Sequence, residues 1–332
     1  MFEIDVGLVA VLILILGAEF VNGWTDAPNA IATVVATGSL TIRHAVVMAS
    51  ILNVLGVLSG TAVAATIGRG IINPDLVDLT TVAGAMVGII AWSSLAARFG
   101  IPTSESHALV AGLGGAGFAT AGVNALVWSG WRKVLLGLGF STFLGFFGGL
   151  VVIAATDRLC RKAAPERLRR PFRALQIFSS GFMAFSHGAN DGQKFMGAFT
   201  LALVLGDVLP AFVVPTWVIL LCGGVMALGT LTGGRRIMRT LGERITKLDT
   251  AQGFAAETAA ASTIELATAF GVPLSTTHTI STAIIGVGVA RGGRLAVRWD
   301  VAAELATAWV LTFPACAAIS WAVVKVLRSL VG

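Results

Sequence analysis

The stretch "NGWTDAPNAIATVVATG", at residues 22–38, interrupts an apolar region of the chain with an aspartate, two asparagines and a proline. Pro28 has no N–H group to donate to a helix, and Gly23 gives the backbone unusual conformational freedom. The pattern therefore predicts a break between two half-helices within residues 22–30. The chemical role of such a break depends on whether the chain around it lies in water or in a membrane.

The composition indicates a membrane protein. The chain has 332 residues, of which 56% are hydrophobic and 12% are charged, and its mean hydropathy is +0.87. Soluble domains contain about 25% charged residues, and a membrane-spanning helix needs roughly 20 apolar residues. The sequence therefore predicts an all-α integral membrane protein with about 10–12 transmembrane elements. The candidate apolar runs are residues 6–22, 44–66, 80–98, 101–121, 131–155, 174–206, 212–232, 250–270, 273–290 and 301–327.

The charged residues and the cysteines argue against several other classes of protein. The net charge is +6, but the basic residues lie in short loops, where the positive-inside bias explains them better than nucleic-acid binding does. The three cysteines are scattered without metal-ligand spacing, so we expect free thiols. The sequence contains no Gly-rich nucleotide-binding loop, metal-ligand cluster or Ser/His/Asp pattern, and we expect neither an enzyme nor a bound cofactor.

A second polar stretch, "HGANDGQKFMG" at residues 187–197, matches the first one. Asn22 aligns with His187, and Asp26 aligns with Asp191 at the same spacing. Two matched polar stretches within apolar segments indicate that part of the chain is duplicated.

A further match follows in the same order along the chain. The segment "GIPTSESHALVAGLGGAG" at residues 100–117 aligns with "GVPLSTTHTISTAIIGVG" at residues 271–288. The members of this pair lie slightly farther apart in the sequence than the two polar stretches do, which predicts one longer loop in the second half. We divide the chain into a first repeat at 1–156, a basic linker at 157–173 and a second repeat at 174–332.

The loop charges indicate that the two repeats have inverted topology. The linker 157–173 has seven basic residues and two acidic ones, which predicts a cytoplasmic position. Residues 68–79 have one basic and two acidic side chains, whereas their counterpart 233–249 has five basic and two acidic side chains. An odd number of crossings in each repeat then places both termini outside. Residues 84–121 form either two spans or one re-entrant hairpin with its tip at 99–107.

The helix break has the chemistry of a cation site. Free carbonyls and a carboxylate at a broken membrane helix suit a small hard cation, and ionisable residues inside a membrane are functional by default. Asp26 and Asn29, three positions apart, project to one side of a helical turn. An alternative is that Asp26 only caps the half-helix that begins near Ala27. The predicted cation ligands are Asn22, Asp26, Asn29 and Asp191.

The two Pro-Ser/Thr stretches, "PTSESH" at 102–107 and "PLSTTH" at 273–278, have the chemistry of an anion site. Proline favours the first turn of a helix, where N–H groups are free and the helix dipole is positive. Hydroxyl groups beside those N–H groups bind an anion without a fixed positive charge. The alternative is that these hydroxyls only pack between membrane helices. The hydroxyls predicted to surround a tetrahedral oxyanion belong to Thr103, Ser104, Ser106, Ser275, Thr276 and Thr277.

Four ionisable residues in these stretches have more than one interpretation. Glu105 lies inside the hydroxyl cluster, so it is protonated, paired or turned toward a cation. Lys194 either pairs with a carboxylate or contacts the anion directly. His107 and His278 are interpreted as packing donors, because no neighbouring cysteine or histidine completes a transition-metal site.

These residues resemble a known family. The stretches "NGWTDAPNAIAT", "HGANDGQKFMG", "GIPTSESH" and "GVPLSTTH" look like the signature stretches of the inorganic phosphate transporter (PiT) family, and the resemblance covers both halves of the chain in order. It implies a sodium- or proton-coupled phosphate symporter, built from inverted repeats with a break in each half and often dimeric. A sulphate permease of the same family is the alternative. The implied phosphate ligands are Thr103, Ser104, Glu105, Ser106, Asn190, Gln193, Lys194, Ser275, Thr276 and Thr277.

The resemblance has two further consequences. A short chain without a large central loop resembles bacterial members, which implies a multi-pass protein of the plasma (inner) membrane in contact with lipid. The chain also departs from the family pattern, with Thr25 in the first stretch and Gln193-Lys194 in the second. These departures leave the coupling ion open, and Lys194 could take the place of a bound cation.

The inverted topology can be tested by labelling single cysteines. We expect an impermeant thiol reagent to label positions in 68–79 in right-side-out vesicles, while 157–173 and 233–249 react only after permeabilisation, because the positive-inside bias places basic loops in the cytoplasm. Equal labelling of all three loops in sealed vesicles would contradict the inverted arrangement. A cysteine-free variant is the control for background labelling.

Overall fold

The structure is a computed structural model that describes residues 5–331. Helices account for nearly all of these residues, and none of them lies in a named β-strand. The helices are α1 (Val6–Thr25), α2 (Ala32–Ala36), α3 (Ile42–Val57), α4 (Ala62–Gly70), α5 (Leu79–Phe99), α6 (Glu105–Ala121), α7 (Trp128–Cys160), α8 (Pro165–His187), α9 (Gln193–Leu205), α10 (Thr216–Thr232), α11 (Arg235–Arg239), α12 (Thr250–Ala269), α13 (Thr276–Gly292) and α14 (Trp299–Val331).

Length and apolarity identify the helices that could span a membrane. Among the described residues, five helical segments are long and apolar enough to cross a membrane, namely α1, α5, α6, α7 and α14. Two bent pairs, α3 with α4 at 72° and α10 with the segment from α11 onward at 66°, raise the number to as many as seven. The predicted all-α membrane fold is confirmed. Helices α9 and α13 have 13 and 17 residues, most of which are buried.

The first polar stretch interrupts the helix as the sequence predicts. Helix α1 ends at Thr25, a 3₁₀ turn follows at Ala27–Ala30, and α2 continues the chain. Pro28 lies in the first turn of the 3₁₀ segment, where its missing N–H leaves no helical bond unmade.

The second polar stretch is not broken in this way. A π-helical turn at Gly188–Gly192 connects α8 to α9 without a gap. The residue that aligns with Pro28 is Gln193, which has a backbone N–H group, so the helix can continue. The expectation of a break in each half is therefore wrong for the second half, where a π turn widens the helix instead.

Two helical hairpins place their tips inside the protein. Helices α5 and α6 are joined through Gly100, and α12 and α13 are joined through Gly271, with φ angles of 70° and 61° that glycine adopts readily. Residues 102–104 of the first tip are buried, and Ser106 just after it donates a hydrogen bond to the carbonyl of Leu274 in the second tip. A connection between two complete spans would lie at a membrane surface, so the buried tip favours the re-entrant alternative.

Close helix contacts cross between the two halves in a reciprocal pattern. A Cβ atom added at Gly115 in α6 would lie 2.2 Å from the carbonyl oxygen of Ala317 in α14. A Cβ atom added at Gly286 in α13 would lie 2.2 Å from the carbonyl oxygen of Phe146 in α7. The alignment that pairs Gly115 with Gly286 also pairs Phe146 with Ala317 when it is extended along the chain. Each half therefore packs its hairpin against the long final helix of the other half, with small residues allowing backbones to approach.

The described connections also differ in length as the alignment requires. The segment between α2 and α3 covers residues 37–41, whereas the segment between α9 and α10 covers residues 206–215. The longer connection in the second half lies between the two matched pairs of motifs, where the alignment needs an insertion. The duplication itself remains a prediction, and these contacts are the structural observations that agree with it.

The reciprocal glycine contacts predict a difference between glycine substitutions. We expect Gly115→Ala and Gly286→Ala to lower the stability by about 1–3 kcal/mol each, because the new methyl group would overlap a backbone carbonyl that cannot move independently. Gly139→Ala in α7 is the matched control, since a Cβ at that position meets no atom within 4 Å. Thermal unfolding in detergent, followed by size-exclusion chromatography, measures the difference. Equal stability of all three variants would contradict the packing.

Candidate functional site

The two hairpin tips supply two helix N-termini to the centre of the molecule. Ser104 is the N-cap of α6 and accepts a hydrogen bond from the backbone N–H of His107 at 3.3 Å. Ser275 is the N-cap of α13 and accepts from the N–H of His278 at 3.1 Å. Both Pro-Ser/Thr stretches thus begin helices, as predicted, because serine is a preferred N-cap. The prolines lie two positions before the caps, so the expectation that they occupy the first helical turn is wrong.

Asp26 lies at the helix break and its carboxylate faces the second hairpin. Oδ1 accepts hydrogen bonds from the hydroxyl of Thr277 at 2.9 Å and from the side-chain amide of Asn29 at 3.2 Å. Oδ2 accepts from the backbone N–H of Glu105, the first residue of α6, at 3.4 Å. The Asp26 side chain makes no capping bond to the 3₁₀ turn that follows it. The interpretation of Asp26 as only a helix cap is therefore wrong.

Several buried acceptor oxygens on α1, in the helix break and on α6 have no hydrogen-bond donor within the described residues. They are Oδ1 of Asn29, Oδ1 of Asn22, Oε2 of Glu105 and Oε1 of Glu19. Asn22 lies one helical turn before Asp26, and its amide donates to the other carboxylate oxygen of Glu19 at 3.3 Å. Buried polar atoms normally have partners, because burial without one costs free energy. Oxygen acceptors in this number suit a hard cation.

The second carboxylate has a different partner. Asp191, in the π turn, accepts an ion-paired hydrogen bond from the ammonium of Lys194 at 2.6 Å and a hydroxyl bond from Thr276 at 3.2 Å. The Lys194 ammonium also donates to the carbonyl of Leu274 at 2.8 Å and to the hydroxyl of Ser106. An ammonium has three N–H donors, so all of its donors are used by the protein. Of the two interpretations of Lys194, the structure shows the pair with a carboxylate.

His187 is a central residue that the sequence did not identify as part of the site. Its Nε2 atom lies 3.7 Å from the carboxylate of Asp191, and its Nδ1 atom lies 3.1 Å from Oδ1 of Asn53 in α3. One ligand atom each of Asp26, His187 and Asp191 lie within 4.8 Å of one another, close enough to share a metal ion. The only sequence signal was the alignment of Asn22 with His187, which occupy equivalent positions.

Two residues predicted as anion ligands hold the backbone around the site. The Asn190 side chain donates to Thr268 at 2.8 Å and to the carbonyl of Val272 at 3.2 Å, and it accepts from the N–H of Leu274 at 3.3 Å. Gln193 accepts from the N–H of Val63 at 2.9 Å, at the start of α4. Both side chains therefore stabilise the chain segments that surround the centre.

Glu105 accepts a hydrogen bond from the hydroxyl of Thr25 in α1 at 3.0 Å. Its carboxylate therefore points toward the helix break, which agrees with the interpretation that it turns toward a cation. Thr103 is buried at the hairpin tip beside Ser104.

The two hairpin histidines pack against each other. The rings of His107 and His278 lie edge to face with centroids 4.4 Å apart, and the ring of His278 stacks on Trp309 at 3.7 Å. Neither histidine belongs to a group of potential metal ligands among the described residues. Their geometry agrees with the packing role predicted from the sequence.

A separate buried carboxylate lies beside α2. Glu257 in α12 accepts hydrogen bonds from the hydroxyls of Thr33 and Ser179. Thr33 lies in α2 and Ser179 lies in α8, so the packing of these two helices against α12 provides the donors to Glu257.

A multi-pass helical fold with ionisable groups at its buried centre and two helix N-termini facing them defines a membrane transporter. The family model described as "Phosphate transporter family" matches residues 22–167 and 160–320, and the chain belongs to this family. It is similar to a "Probable low-affinity inorganic phosphate transporter" of Rhizobium meliloti, with 43% identity over 321 residues that cover 96% of this chain and 95% of the relative.

A more distant relative and a solved structure agree with this assignment. A protein of Bacillus subtilis with the same name is 35% identical over 314 residues, which cover 94% of each chain. The fold is similar to a structure named "The sodium-dependent phosphate transporter", with a TM-score of 0.81 and 27% identity, covering 98% of this chain and 99% of that one. The resemblance noted from the signature stretches is thereby confirmed.

Proposed function

We propose that this chain is a secondary active symporter that carries inorganic phosphate across the membrane together with a cation. The observation that carries the proposal is the position of Asp26, a buried carboxylate between a helix break and the N-terminus of α6. A carboxylate and an oxyanion at the same membrane depth repel each other unless a cation binds with the anion. Sodium is the first candidate, because the similar solved structure is named sodium-dependent, and a proton is the alternative.

The cation is assigned to the oxygen atoms around the helix break. Asp26 supplies the negative charge, and the side-chain carbonyls of Asn22 and Asn29 are acceptors without donors. Oε2 of Glu105 is a further buried acceptor without a donor. These acceptors without donors are the reason for assigning the cation here rather than at Asp191, where Lys194 already lies.

The phosphate is assigned to the space between the two hairpin tips. Ser104 and Ser275 use their oxygen lone pairs for the helix caps, so each retains an O–H donor for an anion. The hydroxyls of Ser106, Thr276 and Thr277 instead donate to protein oxygens. Free N–H groups in the first turns of α6 and α13 add backbone donors and the positive ends of two helix dipoles.

The proposal also includes the inverted repeat and its orientation in the membrane. The reciprocal contacts of Gly115 and Gly286 support a pseudo-two-fold relation between 1–156 and 174–332, with 157–173 on the cytoplasmic side and both termini outside. The exposed phenylalanines Phe140 and Phe143 on α7 suit contact with lipid in a plasma (inner) membrane. A homodimer is proposed from the family resemblance alone.

Uptake of labelled phosphate into proteoliposomes tests the proposed function. The sodium gradient and the pH gradient are imposed independently, and unlabelled sulphate is added as a competitor. Accumulation driven by one of the two gradients and insensitive to sulphate is the expected result. Accumulation without any gradient dependence would indicate a channel, and competition by sulphate at equal concentration would indicate a sulphate permease.

Asp26→Asn is expected to abolish gradient-driven uptake while the protein still folds. The substitution removes the charge that neutralises the cation at a buried position, where charge balance matters most. The shape of the side chain and its bonds to Thr277 are largely conserved. Asp75→Asn, in an exposed connection, is the control that retains uptake. Uptake at the wild-type rate by Asp26→Asn would contradict the cation site.

Ser104→Gly and Ser275→Gly are expected to weaken phosphate binding by about tenfold to a hundredfold each, because a hydrogen bond to a charged group contributes about 1.5–3 kcal/mol. Glycine is chosen since it costs a helix N-cap only a few tenths of a kcal/mol. Calorimetry on the purified protein measures the affinity. Thr156→Ala is the control, because it removes a hydroxyl near the end of α7 that bonds within its own helix to the carbonyl of Val152. Unchanged affinity in the double glycine variant would place the anion elsewhere.

A further inference from the structure

The same contact occurs in both halves of the molecule with one chemical difference. Asn29 and Lys194 occupy equivalent positions of the two polar stretches, and each lies three positions after its aspartate. The Asn29 amide donates to the hydroxyl of Thr277 at 2.7 Å, and the Lys194 ammonium donates to the hydroxyl of Ser106. Ser106 and Thr277 are themselves equivalent in the alignment of the two hairpins. An amide in one half is therefore replaced by an ammonium in the other.

The surroundings of the Lys194 nitrogen are those of a bound cation. Three oxygen atoms of different kinds accept from it, a carboxylate of Asp191, a carbonyl of Leu274 and a hydroxyl of Ser106. The side chain is fully buried. Carboxylate, carbonyl and hydroxyl oxygens are also the ligands that hard cations take.

The charges of the two halves differ accordingly. Asp191 and Lys194 form a neutral pair. Asp26 is equally buried, but no lysine or arginine forms an ion pair with it within residues 5–331. Both carboxylate oxygens of each aspartate have hydrogen-bond donors, but those of Asp26 are a hydroxyl, an amide and a backbone N–H, whereas Asp191 also has the Lys194 ammonium. One half of the centre is electrically complete and the other lacks a positive charge.

We propose that Lys194 is a tethered cation whose ammonium occupies the second-half counterpart of the Asp26 cation site. The chain then moves one coupling cation fewer per phosphate than a transporter in which both sites bind mobile cations. The proposal rests on the proposed cation-coupled symport and specifies its stoichiometry. A direct role in phosphate binding is disfavoured, because the three N–H donors of the ammonium already have protein acceptors.

Lys194→Asn tests the proposal because it places in the second half the asparagine that the first half has at the equivalent position, Asn29. The measured quantity is the charge moved per phosphate, obtained from the reversal potential of uptake in proteoliposomes at clamped voltage and constant pH. This quantity does not depend on whether the cation is sodium or a proton. The expected result is an increase of about one elementary charge per phosphate, since a mobile cation replaces the fixed ammonium beside Asp191. An unchanged charge ratio in a variant that transports phosphate would overturn the proposal.

The reciprocal variant, Asn29→Lys, places an ammonium beside Asp26. It is expected to lower the charge per phosphate by about one, and uptake should lose its dependence on the cation gradient. The double variant Asp191→Asn/Lys194→Asn removes both charges together and should keep the wild-type charge ratio. Lys325→Asn, an exposed lysine on α14, is the matched control for loss of a positive charge.

Inactive variants are also informative. Loss of phosphate binding in Lys194→Asn, with binding retained in Asp191→Asn, would show that Lys194 is a phosphate ligand and would overturn the proposal. Failure of both Lys194→Asn and Asn29→Lys to move phosphate would overturn it too, because equivalence predicts that each position accepts the residue of the other. The proposed function fails separately, when the wild-type protein shows no gradient-driven uptake at all.

Discussion

A carboxylate buried in the centre of a membrane protein needs a compensating positive charge, and much of this structure follows from that requirement. Asp191 obtains the charge from Lys194, one helical turn away. Asp26 obtains hydrogen bonds from Thr277, Asn29 and the first backbone N–H of α6, but no ion-paired lysine or arginine among residues 5–331. The cost of an uncompensated buried charge explains why helix N-termini, hydroxyls and amides converge on these two aspartates.

The helix architecture provides this convergence without any dedicated ligand-binding domain. Two hairpins bring helix N-termini to the centre, where the positive ends of their dipoles favour an anion. A 3₁₀ turn in one half interrupts the α-helical hydrogen bonding next to Asp26, and a π turn in the other half widens the helix at Asp191. Irregular backbone is tolerated at this depth because other helices bury it. The close approach of those helices in turn requires glycine at positions such as Gly115 and Gly286.

Most of the helices and several residues of the buried centre were predictable from sequence, for a physical reason. Apolar runs of about 20 residues mark spanning helices regardless of how they pack, and prolines, glycines and serines mark helix ends locally. Ser104 and Ser275 could thus be placed at helix starts. The π turn was not predictable, because Gln193 has a backbone N–H and nothing in the local pattern distinguishes a wide turn from an ordinary one.

The sequence by itself determined that this is a membrane protein, and it contains two pairs of similar acidic and hydroxyl-rich stretches in the same order. Composition and spacing are properties of the chain alone and do not depend on how it folds. Only the tertiary structure decided which groups meet. It brought His187 to Asp26 and Asp191, directed the Lys194 ammonium to Asp191 rather than outward, and gave Glu257 its donors from other helices. Contacts between residues far apart in sequence depend on how helices pack, and local patterns do not encode that packing.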